Sequence, residues 1–513
     1  MAKPITPYSL VAPGFFGVNT QDGPVDMDQR FCLEANNCVF DKYGRVGSRK
    51  GWATAHTANV DIGSNNITVI NEVVQNDGTR TTVAAGGGFL FKHASTTLTT
   101  LTYGGGGSAP TISANNWQFV QLGGVGVFFQ RGYDPLIFDP AVSTTTFRRL
   151  SEKSGYTGTV PTANCALSAY GRIWCADTAT DKNTLTWSDT LTTHLWTAGA
   201  SGSLNLLGVW PSGGDEIVAL AAHNNQLIIF GKKQTLIYTG ADDPSTMALY
   251  DALDNVGCVA RDSVQNTGDD IIFLSDKGVC SLRRTIQEKS APTRTLTKNV
   301  FNDIQAYITA ETLEDVKSGY SPVEEIYVIT FPASFTTYCL DMKAMLPDGA
   351  ARVTTWTDMG PKCFGYLKSR KFYLGQPGYI GEYTGYLDNA DTFQMSYYTA
   401  WIDFGNAIQI SILKKIIASM VFSRDQQITF KWGFDYAPQT TANTANITGV
   451  GTPAEYNIAE YGIAEYGSNI AVNTVAMNAG GHGRVIQVGI EAEINDAQVS
   501  IQRVDIFTKD GRI

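Results

Sequence analysis

Short apolar segments separated by tight turns recur along most of this chain. The clearest example runs through residues 217–221, 226–230 and 235–238, with the turns HNN and GKK between the three segments. A short apolar run bounded by turn residues is typical of a buried β-strand, and turns rich in Asn and Gly predict hairpins. The chain is therefore expected to consist largely of small antiparallel sheets.

This unit of strand, turn and strand recurs about seven times between residues 83 and 383, at irregular intervals. A sheet of three or four short strands cannot bury both of its faces alone, so such units stack around a common axis. The spacing brackets the blade length of β-propellers. The sequence therefore predicts a β-propeller of about 6–8 blades over residues 56–389.

The regions on either side of the repeats have different patterns. Residues 1–55 contain Pro4, Pro7, Pro13 and Pro24 and are predicted to form an extended N-terminal arm. After residue 390 the strands become longer, and residues 484–494 and 498–508 alternate as an antiparallel pair with one solvated face does. The predicted fold class is thus all-β, with an arm (1–55), a propeller (56–389) and a β-sandwich-like C-terminal domain (390–513).

Residues 437–483 are predicted to be a long loop, because they are rich in Thr, Asn, Ala and Gly and poor in large apolar groups. The loop contains three Ala-Glu-Tyr triplets. Their acidic and aromatic residues are Glu455, Tyr456, Glu460, Tyr461, Glu465 and Tyr466. Loops of this length in compact domains are functional or disordered. Either a functional projection or a flexible surface loop fits the composition.

Composition and charge limit the function classes. The chain of 513 residues is 43% hydrophobic and 17% charged, as folded proteins are, and its net charge is −10. Such a charge argues against a general nucleic-acid binder, which would carry a basic stripe. The eight cysteines contain no C-x-x-C pair and are expected to be structural thiols. Cys165 and Cys175, which flank one hairpin turn, are the pair to test for a disulfide.

No catalytic motif is found along the chain. The phosphate-binding, zinc-protease, serine-hydrolase and calcium-loop signatures are missing, and the five histidines are dispersed singly. Paired acids at 242–243, 269–270 and 324–325 fall where turns are predicted, and Asp in particular closes turns with its own side chain. The sequence therefore predicts no catalytic, cofactor-binding or metal-binding residues and a protein that is not an enzyme.

Three blocks within the first 280 residues resemble the tail nozzle proteins of short-tailed bacteriophages, which are also called tail tubular or tail hub proteins. The first block comprises APGFFGVNTQ (12–21), NNCVFD (36–41) and GRVGSRKGW (44–52). The second comprises QLIIFG (226–231) and NVGCVAR (255–261), and the third is FLSDKGV (273–279). The remaining chain agrees with the family in layout and carries no specific motif.

The resemblance implies a structural protein of the virion, made in the bacterial host cytoplasm and assembled as a homohexameric ring at the distal end of the tail. The ring would lie below an adaptor ring and the portal, and tail fibre, needle or spike proteins are possible further partners. Viral genomic DNA would pass through the bore without sequence-specific binding. The resemblance also implies that the arm and residues 390–513 build the tube, with the propeller outside it.

Electrostatics are compatible with this role, since six copies at −10 each carry a formal charge of −60. Duplex DNA has one negative charge per ~1.7 Å of its axis, so an acidic bore lets it slide. The loop at 437–483 is then expected to form a channel constriction or a tip contact. Deleting residues 454–467 should leave particles assembled but alter genome retention or ejection.

Two other function classes remain open at this stage. A propeller glycosidase acting on host-surface polysaccharide would need several Asp or Glu side chains that converge at the central funnel of the propeller. A glycan-binding propeller would need exposed aromatic residues, for which residues 379–386 are the candidates.

Overall fold

The computed structural model describes residues 5–24, 26–112, 116–288, 295–404, 408–422, 426–437, 441–447 and 472–511. Regular structure in these ranges is almost entirely β, and the sheets are antiparallel apart from short parallel contacts. The predicted fold class is confirmed: a β-propeller is joined to a C-terminal β-sandwich, which we call the platform.

Six sheets of three to five strands form separate propeller blades. The first two blades contain Ile67–Val74, Arg80–Gly86, Phe89–Ala94 and Thr97–Thr100, then Thr102–Tyr103, Gln118–Leu122, Val125–Phe129, Leu136–Phe138 and Thr146–Arg149. The next two contain Cys165–Ala169, Arg172–Ala176, Thr184–Trp187 and Gly202–Asn205, then Ile217–His223, Gln226–Gly231, Thr235–Thr239 and Ala248–Leu253. The fifth contains Gln265–Asn266, Ile271–Ser275 and Gly278–Ser281.

The sixth sheet, here called the closing blade, joins distant parts of the chain. Its strands Cys363–Tyr366, Phe372–Gln376 and Tyr379–Tyr383 are completed by Trp52–Thr54, which precedes the first blade in sequence. The first strand of this blade lies against Ile67–Val74 of the first blade. The ring is thus closed by main-chain hydrogen bonds between its two ends.

A further four-stranded unit, the shared blade, belongs to the propeller and to the platform at once. It consists of Lys317–Ser321, Ile326–Phe331, Thr336–Asp341 and Arg352–Trp356. Its sheet continues through Cys32–Asn36, Phe393–Thr399, Ile486–Ile494, Gln426–Phe434 and Thr441–Ile447 to nine strands. The two parts of the molecule are therefore connected by a continuous sheet.

The second sheet of the platform contains strands from both ends of the chain. Its seven strands are Ile5–Val11, Cys38–Phe40, Val46–Ser48, Ser411–Phe422, Asn473–Asn478, His482–Gly483 and Val499–Asp510. Apolar side chains of this sheet, such as Ile416 and Val504, face Phe430 and Ile490 of the nine-stranded sheet. The same core extends to Tyr327 in the shared blade, so that one apolar interior spans both parts.

One irregular strand shows how the sequence pattern is accommodated. Leu413 and Ile416 are both buried although they are three residues apart, which breaks the alternation of a regular strand. The pairing with the last strand shifts between Leu413 and Lys415, which is the signature of a β-bulge. The extra residue lets Lys414 remain exposed and returns the following apolar residues to the core.

Helices are few and short. Phe301–Ala310 is helical and buries Ile304, in agreement with the helical spacing of apolar residues in this part of the sequence. The other helical segments are Leu282–Glu288 and the 3₁₀ turns Leu150–Glu152, Arg261–Ser263 and Lys298–Val300.

The predicted loop at 437–483 is wrong in its extent, because the strands Thr441–Ile447 and Asn473–Asn478 lie within it. Both are edge strands, which pair on one side only among the described residues and need few large apolar side chains. Polar Thr and Asn residues therefore suffice there, since the main chain supplies the hydrogen bonds. The low apolar content led to the prediction of a loop.

Cys165 and Cys175 are both free thiols. Cys165 pairs with Ala176 and Cys175 with Ala166, so the two cysteines are offset by one position across adjacent strands. Successive side chains point to opposite faces of a strand, which places the two sulfur atoms in different apolar cores. The fold therefore separates the two thiols.

Candidate functional sites

Arg261 connects three blades of the propeller near their inner strands. The guanidinium donates to the carbonyl oxygen of Asn164 at 2.6 Å and to the side-chain oxygen of Asn116 at 2.8 Å. It also forms an ion pair of 2.7 Å with Asp262. Arg261 therefore ties the fifth blade to the second and third blades across the axis.

Asp262 is the carboxylate of this group, and it has two cationic partners, Arg261 and Lys317. Burial by itself raises the pKa of Asp262, but the two cations outweigh burial and lower that pKa to about 2. A carboxylate with such a pKa stays ionised at neutral pH and cannot donate a proton. Among the three ion-paired residues Asp262 is the one carboxylate, whereas glycosidases commonly use two.

A pit lies beside this group between the inner strands of four blades. Its volume is about 350 Å³, and its lining includes Asn71, Gln265, Asn266, Ser318, Tyr320, Phe364 and Tyr366. An adjoining cavity of about 170 Å³ reaches Arg261, Asp262 and Lys317, and shares five lining residues with the pit: Ile70, Asn71, Gln265, Ser318 and Phe364. The pit is thus polar and aromatic and borders the ion-paired group.

The platform presents an acidic outer face on the nine-stranded sheet. Glu491 accepts hydrogen bonds from Tyr398, from Lys431 at 2.7 Å and from Gln394 at 3.0 Å. Glu493 accepts one from Thr392 at 2.8 Å. Glu34 and Glu491 flank Tyr398, and burial together with the bond to Glu491 raises the pKa of this phenol. In this patch three glutamates accompany one lysine.

Three edge strands of the platform carry no charged residue. They are Ile5–Val11 (ITPYSLV), Thr441–Ile447 (TANTANI) and Asn473–Asn478 (NTVAMN). In the part of the chain that the structure describes, each pairs with one neighbouring strand only. Proteins commonly protect free edges with charges, bulges or prolines. Here the only such device in the sequences is Pro7, which removes one donor from the first edge.

A buried arginine fastens the arm to both parts of the molecule. Arg49 is fully buried, binds both carboxylate oxygens of Asp388 at 2.7 and 2.8 Å, and donates to the side chain of Asn37 at 2.9 Å. Its guanidinium also lies 4.0 Å from the ring centre of Phe393. Asn37 belongs to the arm, and Phe393 begins the platform strand Phe393–Thr399. The joint between arm, closing blade and platform is therefore specific.

The sequence-predicted residues Glu455, Tyr456, Glu460, Tyr461, Glu465 and Tyr466 lie outside the described residues. The paired acids do lie in turns, as predicted: Asp243 accepts from Ser245 in its turn, and Glu324 pairs with Lys50. Sequence reasoning assigned no role to Arg49 or Arg261, although both fall inside the blocks that resemble the nozzle family. The two arginines are visible in these blocks, but most of the residues that they contact are distant in the sequence, so their roles become evident only in the fold.

Within the described ranges, no group of three or more His, Cys, Asp or Glu residues could hold a metal ion. Nor does any helix in these ranges have the length and apolar character needed to cross a membrane.

Comparisons with known proteins bear on the fold. No protein-family model and no curated protein sequence match this chain. Among solved structures, streptogramin B lyase is similar over 65% of this chain and 97% of its own, with 11% identity and a TM-score of 0.37. The WD40 propeller domain of Doa1 is similar over 65% of this chain and 96% of its own, with 9% identity and a TM-score of 0.37. The WD40 domain of Toxoplasma gondii coronin is similar over 68% of this chain and 86% of its own, with 9% identity and a TM-score of 0.37. These similarities concern the propeller fold alone.

Proposed function

We propose that this protein is a structural component of a short phage tail, located at its distal end, where copies form a ring around the path of the DNA. The observation that carries the proposal is the platform. It is built from the N-terminal arm and the C-terminal segment together, with the propeller inserted between them in sequence. This is the division into tube and outer lobe that the resemblance to nozzle proteins implies.

The edges of the platform support ring formation. Ile5–Val11 and Asn473–Asn478 lie at opposite sides of the same seven-stranded sheet, and neither carries a charge. If the first edge of one copy pairs with the second edge of the next, the contact is head to tail. Such contacts generate a closed ring when the rotation between copies closes. The number six comes from the resemblance.

The acidic outer face supports a passage for DNA. Phosphates are repelled by Glu34, Glu491 and Glu493, and the repulsion is short-ranged because physiological salt screens it over about 8 Å. A bore lined by this face would let the duplex move without holding it. The proposed role requires no catalytic turnover, and an adaptor ring and fibre, needle or spike proteins are its proposed neighbours.

Immunogold electron microscopy of phage particles from the source lysate, with an antibody against this chain, tests the proposal. Label confined to the tip of a short tail is the expected result. Particles without label would overturn the proposal. The glycosidase alternative is tested by release of reducing sugar from host polysaccharide, and the ion-paired state of Asp262 does not favour it.

A further inference from the structure

The pit at the propeller axis contains polar groups that the protein leaves available. Asn71 uses its side-chain oxygen to accept from the main chain of Glu72 at 2.8 Å, which leaves its amide nitrogen as a donor. Gln265 donates to the main chain and the hydroxyl of Ser318 at 3.2 and 3.1 Å, which leaves its side-chain oxygen as an acceptor. Within the described ranges the hydroxyl groups of Tyr320 and Tyr366 have no partner.

The lining of the pit is also neutral. None of the described residues that line it is an acid, a base or a histidine. In the neighbouring group Arg261 and Lys317 share the carboxylate of Asp262, and Arg261 also donates to Asn116 and Asn164. The donors of both cations are thus directed to protein partners, and an anionic ligand would meet no charged side chain in the lining of the pit itself.

Aromatic rings supply the rest of the surface. Phe364, Tyr320 and Tyr366 contribute ring faces or edges to the wall, and Phe364 is held by stacking on Phe372 at 5.6 Å. A volume of about 350 Å³ lies at the lower end of the range of ligand sites. A fitting ligand is small and uncharged, with several hydroxyl groups and one apolar face.

We propose that the pit binds a neutral sugar residue. The hydroxyl groups of the sugar exchange hydrogen bonds with Asn71, Gln265 and the two tyrosine hydroxyls, and its apolar face lies against the aromatic wall. This binding activity goes beyond a structural role in the tail, and it belongs to the isolated chain. The proposal of sugar binding can therefore be wrong while the ring proposal holds, and the experiments separate the two cases.

Saturation-transfer difference NMR on the purified full chain tests the proposal. The neutral probes are the methyl glycosides of glucose, galactose, mannose and N-acetylglucosamine at millimolar concentration. The anionic probes are sialic acid and glucuronic acid. At least one neutral glycoside is expected to bind and the anionic probes are not. Binding by no neutral glycoside, or by anionic probes only, overturns the proposal.

Variants locate the site. Tyr366→Phe retains the ring and removes one hydrogen bond, so binding should weaken about fivefold, and Asn71→Ala should have an effect of similar size. Tyr250→Phe is the matched control, because Tyr250 is exposed on the outer strand of the fourth blade. Should Asn71→Ala not fold, as judged by circular dichroism, Tyr320→Phe replaces it. Equal affinity in Tyr366→Phe and Tyr250→Phe overturns the assignment.

Discussion

The propeller and the platform treat the edges of their sheets in opposite ways. The propeller recruits Trp52–Thr54 from before its first blade and thereby closes its ring within one chain. The platform leaves three uncharged edge strands, each paired on one side among the described residues. The comparison suggests that the closed part works as a unit of its own, whereas the open part is built to join other copies.

A charge on an open edge should have the largest effect. Ala476 is exposed on Asn473–Asn478, between the buried Val475 and Met477. Ala476→Lys is expected to abolish the ring while the monomer remains folded, because a lysine on an edge opposes pairing with another strand. Light scattering and native mass spectrometry at matched concentrations measure the result.

The control for this variant places the same charge on an inner strand. Ser419 lies on Ser411–Phe422, which is paired on both sides, and its side chain is half-buried on the outer face. Ser419→Lys should assemble as the unchanged protein does. Equal assembly of both variants, or a wild-type chain that is monomeric at every concentration, contradicts the edge hypothesis.

Loss of the buried arginine should rank next. Arg49→Ala leaves the Asp388 carboxylate without its bidentate partner and is expected to lower the free energy of unfolding by about 3–5 kcal/mol. Lys50→Ala is the neighbouring control, because the side chains of Lys50 and Glu324 are 38% and 34% exposed, which is more than one third for each. Such a pair contributes about 0–1 kcal/mol. Urea unfolding compares them, and equal losses would contradict a specific joint.

A methyl group at the ring closure should have an intermediate effect. A Cβ atom at Gly51 would overlap the carbonyl group of Leu387. The oxygen of this carbonyl accepts a hydrogen bond from the main chain of Trp52, which begins the strand that completes the closing blade. Gly51→Ala is expected to destabilise the protein by about 1–3 kcal/mol, as overpacked sites do. Gly208→Ala adds a methyl group to open space and should be nearly neutral. Similar melting temperatures for both variants would show that the closure tolerates strain.

Lowering the pH should gradually reduce the stability that His56 gives to the closing blade, and we expect this to be the smallest of the effects. His56 accepts a hydrogen bond from the main chain of Ile380 at 2.9 Å and is 2.6 Å from the carbonyl oxygen of Thr57, so it is neutral with its proton on Nδ1. Burial lowers the pKa of His56 below its usual value of 6.5. Because the folded pKa is the lower one, this stabilisation is complete above pH 6.5 and is lost as the pH falls further.

Replacement of this histidine tests the linkage. His56→Gln should reduce the loss of unfolding free energy between pH 7 and about pH 5, whereas His482→Gln, at an exposed platform position, should leave the pH profile unchanged. Denaturant titrations at several pH values measure both profiles. An identical slope in His56→Gln and the unchanged protein would exclude His56 as the cause.

The fold was largely predictable, because apolar runs and the turns between them are local properties. Residues 226–230 contain an apolar run of the length that a buried strand requires, and the turn HNN marks where the chain reverses. The edge strand Thr441–Ile447 was missed, because its pairing partner and not its composition makes it a strand. The bulge at Leu413 could not be predicted from the sequence either, since it depends on the register of the neighbouring strand.

The all-β class, the repeats and the lack of recognisable catalytic motifs can be read from the sequence alone. The edges of the platform, the closure of the propeller by Trp52–Thr54 and the single pit lined by Asn71, Gln265, Tyr320 and Tyr366 become visible only in the fold. Strand formation depends on residues that are close together in the sequence, whereas these contacts join residues up to hundreds of positions apart and exist only once the ring has closed.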